Sequence, residues 1–439
     1  MIQPDTIVAP ASGAGPSAIA VVRISGPRTL AVLEALAGGV PPPRRASLRD
    51  LGDPMIDRGL VLWFPAPQSF TGEDMAELQV HGSRAVIQAL VDAVLAIEGT
   101  RLAEPGEFAR RAFENGRLDL TEVEGLADLI AAETEAQRRQ ALAQAEGSLR
   151  RLYEGWRAEL VKALGLMEAG LDFADEADVT ADVSAKAEAI VVKLLQSIDR
   201  HLADRSGERL RDGLRIVIAG PPNVGKSSLM NALAKRDVAI VSEEAGTTRD
   251  VIEVHLDLGG LPVILSDTAG IREGTGKVEA EGVRRALTRA EDADVILWVV
   301  DATSPVWDPP ARLAERQVVR ALNKADISPQ SAHNKPIAID AVVSAKSGEG
   351  LDTLIARLAA VAAKHATPAA GTAALTRTRH RIELVSARDA LQRFVNHDLS
   401  AELKAEELRI AARHLGRLTG AIDVEEVLAA IFAEFCIGK

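Results

Sequence analysis

The residues with the plainest chemical purpose form the run Gly220-Pro-Pro-Asn223-Val224-Gly225-Lys226-Ser227-Ser228. It follows the apolar stretch 214–219 and precedes a helix-prone segment. Glycines at both ends of such a loop let successive backbone N–H groups converge on phosphate oxygens, and the helix behind adds its positive N-terminus. Lys226 sets a cation against the β- and γ-phosphates, and Ser227 offers a hydroxyl to Mg²⁺.

Further motifs arrive in the order that a guanine-nucleotide site needs. Asp267-Thr268-Ala269-Gly270 comes directly after an apolar run. Asp267 there can hold Mg²⁺ through water, and the Gly270 amide can meet the γ-phosphate. Thr247 and Thr248 lie in a Gly-containing loop between Ser227 and Asp267. A threonine in that place completes the Mg²⁺ shell only while the γ-phosphate is present, which makes an order–disorder switch. Asn323-Lys324-Ala-Asp326 ends another apolar run, and Ser344-Ala345-Lys346 ends the next. The Asp326 carboxylate accepts from guanine N1–H and the 2-amino group, a donor pair adenine does not offer, so the motif selects GTP over ATP. Residues 344–346 brace the base.

Catalysis needs a group that orients water. Many regulatory GTPases place a Gln directly after the DxxG motif, but here that position is Ile271. A branched alkyl group cannot orient water, so either hydrolysis is slow unaided or another polar group acts. Arg272, Glu273 and Glu279 are the nearby candidates. A monovalent cation near the phosphates can supply positive charge in place of an arginine finger. Asn223 offers a side-chain oxygen for such an ion; its other reading is tolerance of the loop's backbone geometry.

These residues need strands to end on and helices to begin. Around the phosphate loop the pattern alternates strand and helix, with strands expected at 214–219, 251–258, 263–266, 295–300, 318–322 and 341–343. Gly259-Gly260 predicts a hairpin between two of them, and a helix is expected over 351–363. Up to residue 118 the chain reads as mixed α/β, with strands at 19–24 and 59–64, helices at 30–36 and 83–97, and a loop over 38–54. From 119 to about 206 it is rich in helix formers, and Thr121-x-x-Glu124 fits a capping box. Leu126, Ile130, Leu142, Leu149, Leu152 and Trp156 recur at helical spacing, with breaks expected near Gly147 and over 172–180. Residues 365–374 read as a linker and 376–435 as helical again.

Composition narrows the classes. The chain has 439 residues, a net charge of −12, 47% hydrophobic and 3% aromatic residues. That length allows several domains with ample cores. The acidic balance argues against a whole-chain polyanion binder, and few aromatics argue against a base-stacking platform. The one cysteine, Cys436, leaves no intramolecular disulfide or multi-Cys zinc site. Neither a secretory signal nor an apolar membrane span is expected, so a cytoplasmic protein is the default.

Outside the nucleotide motifs, several runs carry a resemblance. They are Asp5-Thr-Ile-Val-Ala9, Arg23-Ile-Ser-Gly26, Phe70-Thr-Gly-Glu-Asp74 with Glu77-Leu-Gln79, Pro105-Gly-Glu-Phe108, Gly246-Thr-Thr-Arg-Asp250 and Cys436-Ile-Gly-Lys439. Over its whole length the chain resembles the bacterial and organellar family of tRNA-modification GTPases called MnmE or TrmE. The resemblance implies a multidomain fold that is part α/β and part all-α. An α+β tetrahydrofolate-binding and dimerisation domain (1–118) would precede a long-helix domain split into 119–210 and 365–439. A Ras-like P-loop GTPase domain (211–364) would be inserted into it. The family, as a homodimer with a flavin-dependent MnmG/GidA-like partner in a heterotetramer, builds a 5-carboxymethylaminomethyl or aminomethyl group on the wobble uridine of certain tRNAs. A 5-formyl- or methylene-tetrahydrofolate supplies the one-carbon unit, and hydrolysis is K⁺-stimulated.

The resemblance also implies roles. Asn223 matches the K⁺-binding position, with Ser242, Glu244 and Thr247 in the K⁺ loop. Ser227 and Thr248 match the Mg²⁺ positions. Glu279 matches the catalytic acid that orients water from a distance. Arg23, Glu77, Arg117 and Lys439 match folate contacts, although the family also uses Lys at 117. Taken alone, Arg23 would be an ordinary strand arginine, Glu77 a solvated loop acid and Cys436 a buried small hydrophobe. The connection between Asp301 and Asn323 is shorter than the family pattern implies. The alternative function is a regulatory or ribosome-assembly GTPase switch without one-carbon chemistry. Against it, the sequence holds no second phosphate loop and no convincing GXXG-type RNA-binding module.

Overall fold

The structure is a computed structural model. It describes every residue except 1–4, 14, 173–176, 237, 241–252, 268–292, 314–315, 329–337, 367–372, 423–430, 432–434, 436–437 and 439. The chain divides into two compact units. Unit 1 takes in Met1–Ala127, Gln144–Arg157 and Ala412–Lys439; unit 2 takes in Asp128–Ala143 and Ala158–Ala411.

Unit 1 is built on a sheet of β1 (Thr6–Pro10), β2 (Ser17–Ser25), β3 (Ser47–Leu51), β4 (Asp57–Phe64), β5 (Met75–Gly82) and β6 (Thr100–Leu102). The strand order is β3-β4-β5-β2-β1-β6. All neighbours run antiparallel except β1 and β6. Helices α1 (Thr29–Ala37) and α2 (Arg84–Leu95) supply Val32, Leu33, Leu90 and Val94 to a core shared with Val22, Ile24, Leu78 and Val80. Successive strand side chains alternate between faces. Arg23 on β2 and Glu77 on β5 therefore stand on the side of the sheet away from that core. The loop expected over 38–54 is corrected: it contains β3, which pairs Ser47 with Val61 and Leu51 with Asp57.

Helices follow: α3 (Glu107–Glu114), α4 (Leu120–Ala131), α5 (Glu135–Ala145) and α6 (Ser148–Asp172). The capping box at the start of α4 sits two residues earlier than the sequence suggests. Asp119 Oδ1 accepts from the Glu122 amide at 2.8 Å, and Glu122 Oε2 accepts from the Asp119 amide at 2.7 Å. Gly147, at φ +82°, makes the expected break between α5 and α6. Of the residues at helical spacing, Leu149 and Trp156 are buried, whereas Ile130 and Leu142 are exposed.

Unit 2 contains α7 (Ala177–Ala203) and α8 (Ser206–Asp212), then a sheet of β7 (Leu214–Ala219), β8 (Glu253–Asp257), β9 (Pro262–Asp267), β10 (Val295–Asp301), β11 (Gln317–Asn323) and β12 (Ala341–Val342). The order is β12-β11-β10-β7-β9-β8, parallel except for the β8–β9 hairpin. Gly259 and Gly260 both take positive φ in that hairpin, as their pairing in sequence predicts. Helices α9 (Lys226–Ala234) and α10 (Leu351–Ala366) cover one face of the sheet, and Trp298, Leu313 and Leu322 help fill the other. A parallel sheet covered on both faces gathers ligands at the carboxyl ends of its strands. Helix α11 (Thr378–Asn396) then packs on α7, and α12 (Ala401–Thr419) follows.

The chain enters this sheet after Arg211 and leaves it before Arg377. One carboxylate binds both points: Asp128 Oδ1 accepts from Arg211 Nε and from Arg377 Nη2, each at 2.9 Å. Arg381 doubles the tie by donating to both Glu208 oxygens, at 3.0 and 2.9 Å. Among the described residues no helix is long and apolar enough to cross a membrane.

Candidate functional site

The phosphate loop sits between β7 and α9, at the carboxyl edge of the parallel strands. Gly225 caps α9 at φ +94°, and a Cβ there would meet Asn323 Nδ2 at 2.5 Å, so glycine is needed both for conformation and for space. Lys226 folds over the loop, donating to the carbonyls of Gly220 and Pro221 at 3.1 and 3.0 Å. Burial lowers its pKa, opposed by the nearby Asp267 carboxylate. Ser227 Oγ donates to Asp267 Oδ2 at 2.6 Å, so the hydroxyl and the carboxylate expected around Mg²⁺ lie together. Hard oxygen donors from a helix start and a strand end suit that ion. Ser228 is exposed beside them.

The guanine motif braces the phosphate loop from the neighbouring strand. Asn323 is buried; its Nδ2 donates to the Val224 carbonyl at 2.8 Å and its Oδ1 accepts from the Ala345 amide at 3.0 Å. Ser344 is buried, and its Oγ accepts from the Ser347 amide at 3.1 Å, shaping the turn that carries Lys346. Asp326 and Lys346 are exposed, in keeping with groups that meet a base rather than a core. Lys324, at φ +65°, donates to the Asn223 carbonyl at 2.8 Å and to Asp301 Oδ2 at 2.6 Å. Burial works to raise the Asp301 carboxyl, but donors from Lys324 and Thr303 prevail and hold it below its usual value. The sequence reading passed over Asp301. Its signal was available: like Asp267, it ends an apolar strand.

Asn223 lies exposed in the loop at φ +61°. Thr247, Thr248, Thr268, Ala269, Gly270, Glu279, Ser242 and Glu244 lie outside the described residues, as do Ile271, Arg272 and Glu273.

A second constellation forms in unit 1. Register places Arg23 directly opposite Glu77 on adjacent strands. Arg23 Nε and Nη2 donate to Glu77 Oε1 at 3.1 and 2.9 Å. The guanidinium lies 5.7 Å from the Phe70 ring centroid and 5.8 Å from that of Phe108. Donors, an acceptor and two phenyl rings in one place suit a flat heteroaromatic group with its own hydrogen-bonding edge. Glu77 is a strand residue here, not a loop acid. Arg117 is exposed and borders the same loop, where a Cβ on Gly72 would meet its Cγ at 3.3 Å.

The loop that carries Phe70 is fixed from below. Arg111 is buried and donates to Glu73, to the Asp5 carbonyl and to Glu107. Glu73 Oε2 accepts from Ser25 Oγ at 2.7 Å, and Ser25 meets Thr71 at 2.7 Å. Burial tends to raise the Glu107 carboxyl, yet hydrogen bonds from Arg101, the Glu104 amide and Arg111 hold it down at about 2. Lys439 and Cys436 lie outside the described residues, but their neighbour Gly438 packs so closely on the Pro10 carbonyl that a Cβ would not fit. Pro10 is one residue beyond Ala9, the β1 partner of Arg23.

Comparisons with known proteins agree across the chain. The family model "GTP-binding protein TrmE N-terminus" matches residues 6–117, and "MnmE helical domain" matches residues 120–436. The tRNA modification GTPase MnmE of Rhodopseudomonas palustris (strain BisB5) is 50% identical over 467 residues, covering 99% of each chain. Its namesake in Paramagnetospirillum magneticum is 53% identical over 447 residues, covering 99% of this chain and 100% of the relative. That in Beijerinckia indica is 52% identical over 440 residues, covering 99% and 96%. A phosphate loop braced by a guanine motif, in a chain matched from end to end by these GTP hydrolases, leads to one conclusion: the chain belongs to the MnmE/TrmE family of tRNA modification GTPases.

Proposed function

We propose that this chain is the K⁺-stimulated, GTP-hydrolysing component of wobble-uridine modification. With a flavin-dependent MnmG/GidA-like partner, the homodimer forms the 5-carboxymethylaminomethyl or aminomethyl group on certain tRNAs. In this reading residues 1–118 bind tetrahydrofolate and dimerise, residues 119–210 and 365–439 make the helical domain, and residues 211–364 make the G domain. Bound tetrahydrofolate supplies the one-carbon unit. Arg23, Glu77, Arg117 and Lys439 hold and orient it.

The observation that carries the reading is the Arg23–Glu77 pair, with the Arg23 guanidinium near the Phe70 and Phe108 rings, in the same chain as a guanine-nucleotide loop. A GTPase switch without one-carbon chemistry needs the loop but not the pair. In the G domain, Ser227 and Thr248 take Mg²⁺. Asn223, with Ser242, Glu244 and Thr247, takes K⁺, whose charge stands in for an arginine finger. Glu279 orients the attacking water.

The decisive experiment is analysis of wobble nucleosides in cells lacking the protein, complemented by wild type or by Arg23→Ala. The reading expects the modified uridine to vanish and only the wild type to restore it. Unchanged nucleosides in the deletion strain would remove the one-carbon function. Equal GTPase rates in KCl and NaCl would remove the cation.

A further inference from the structure

The G domain carries a buried acid that the nucleotide motifs do not include. Asp301 ends β10, and the parallel register sets it beside Asn323, the last residue of β11. The next residue, Lys324, takes a left-handed backbone at φ +65°. That turn brings its ammonium back over the end of β10, where Asp301 Oδ2 accepts it at 2.6 Å. The other oxygen, Oδ1, accepts from the Thr303 amide at 2.8 Å and from Thr303 Oγ1 at 2.7 Å. Asp301 itself is 8% exposed. Three donors thus fix the carboxylate, and the fixed carboxylate fixes the lysine.

The held lysine reaches further. Its Nζ donates at 2.8 Å to the carbonyl of Asn223, which is also left-handed, at φ +61°. One residue on, the Val224 carbonyl accepts from Asn323. Two adjacent carbonyls of the phosphate loop therefore rest on the two adjacent side chains that open the guanine motif. An ammonium on a four-carbon stem has many rotamers, and without a fixed counter-charge it loses this one.

We propose that Asp301 is a positioning residue for nucleotide binding, holding Lys324 so that the guanine motif and the phosphate loop form one preset unit. This rests on the reading of Lys324 and Asn223 as nucleotide-site residues. Preset donors spare the ordering that a loose lysine would need on binding.

The test is GDP affinity of the full chain, titrated with a fluorescent GDP, for wild type, Asp301→Asn, Lys324→Gln and the double variant. Loss of a charged hydrogen bond predicts that Asp301→Asn weakens GDP by about tenfold or more. Because Asp301 acts through Lys324, adding Asp301→Asn to Lys324→Gln should change affinity by less than about twofold. A merely structural acid would instead add its full effect in both backgrounds, which overturns the proposal. Wild-type affinity in Asp301→Asn overturns it as well. Unchanged affinity in Lys324→Gln overturns the underlying reading of the lysine, a separate outcome. Asp301→Glu keeps the charge and carries the same comparison if the Asn variant does not fold.

Discussion

Ser227 donates to Asp267 across 2.6 Å, joining the first turn of α9 to the end of β9. The hydroxyl proposed to take Mg²⁺ and the carboxylate expected to hold it through water are thus preset by a bond between themselves. Asp267→Asn keeps an oxygen acceptor for the hydroxyl and removes the charge. Partners that act on a metal through water are worth about 10–100-fold in metal affinity. The variant should therefore need about 10–100-fold more Mg²⁺ for half-maximal GTP hydrolysis, measured by phosphate release across a Mg²⁺ titration. A superimposable titration would show that Asp267 serves only Ser227.

Arg23 and Glu77 make a cross-strand pair with side-chain exposures of 23% and 18%. Glu77→Gln leaves the arginine with a weaker acceptor and deprives a heteroaromatic ligand of a charged one. Hydrogen bonds to charged groups contribute about 1.5–3 kcal/mol, or about 10–150-fold in affinity. Binding of 5-formyl-tetrahydrofolate to the full chain should fall by that factor, by calorimetry, while GDP binding stays constant. Equal folate affinity in the two proteins would remove Glu77 from the site.

Asp119 carries a pH signature opposite to that of most acids. Burial pushes it up to about 6, although the Glu122 amide and Thr121 hydroxyl donate to it; the Glu122 carboxylate adds to the rise and Arg150 opposes it. Its folded pKa lies above the unfolded value of 3.8, so the folded state binds the extra proton. Stability contributed by Asp119 is greatest below about pH 4 and falls as pH rises through 6. Asp119→Asn keeps a competent N-cap and cannot ionise. At pH 8 the variant should be more stable by about 1–3 kcal/mol, and the gain should shrink towards pH 4. Urea midpoints at several pH values measure this; a gain independent of pH would assign it to something other than the charge.

The clamp at Asp128 should matter to the integrity of unit 2. Its side chain and that of Arg377 are 13% and 10% exposed. Asp128→Ala takes from Arg211 and Arg377 the acceptor they share, at an expected cost of about 1–3 kcal/mol. The urea midpoint should drop, and limited proteolysis should open the segments around 211 and 377 first. A wild-type digestion pattern would argue against the clamp.

The nucleotide site was legible because its signal is local: glycines at fixed spacing, a lysine, a serine, and an acid after each apolar strand. The Arg23–Glu77 pair was not legible from the residues alone. It depends on the register between β2 and β5, which are 54 positions apart at the contact, and Glu77 taken alone reads as a solvated loop acid. Strand β3 was missed for a related reason. It lies at the sheet edge with Arg49 and Asp50 exposed, so no buried face imprints an alternating pattern on it. The capping box was displaced because Thr121 and Glu124 have the right spacing, yet both turn inward and are fully buried. Asp301 escaped notice because its partner, Lys324, becomes a neighbour only when β10 and β11 align.

The seat of Gly438 on Pro10 sets an order of events during synthesis. Synthesis runs from the N-terminal side, so β1 is made long before Ile431, Phe435 and Gly438. Ile431 and Phe435 share a core with Ala109, Leu120 and Val123. A nascent chain can therefore build its sheet and its nucleotide loop while the end of β1 at Pro10 still waits for Gly438. Unit 1 is complete only once Ile431, Phe435 and Gly438 have joined residues that lie far earlier in the sequence.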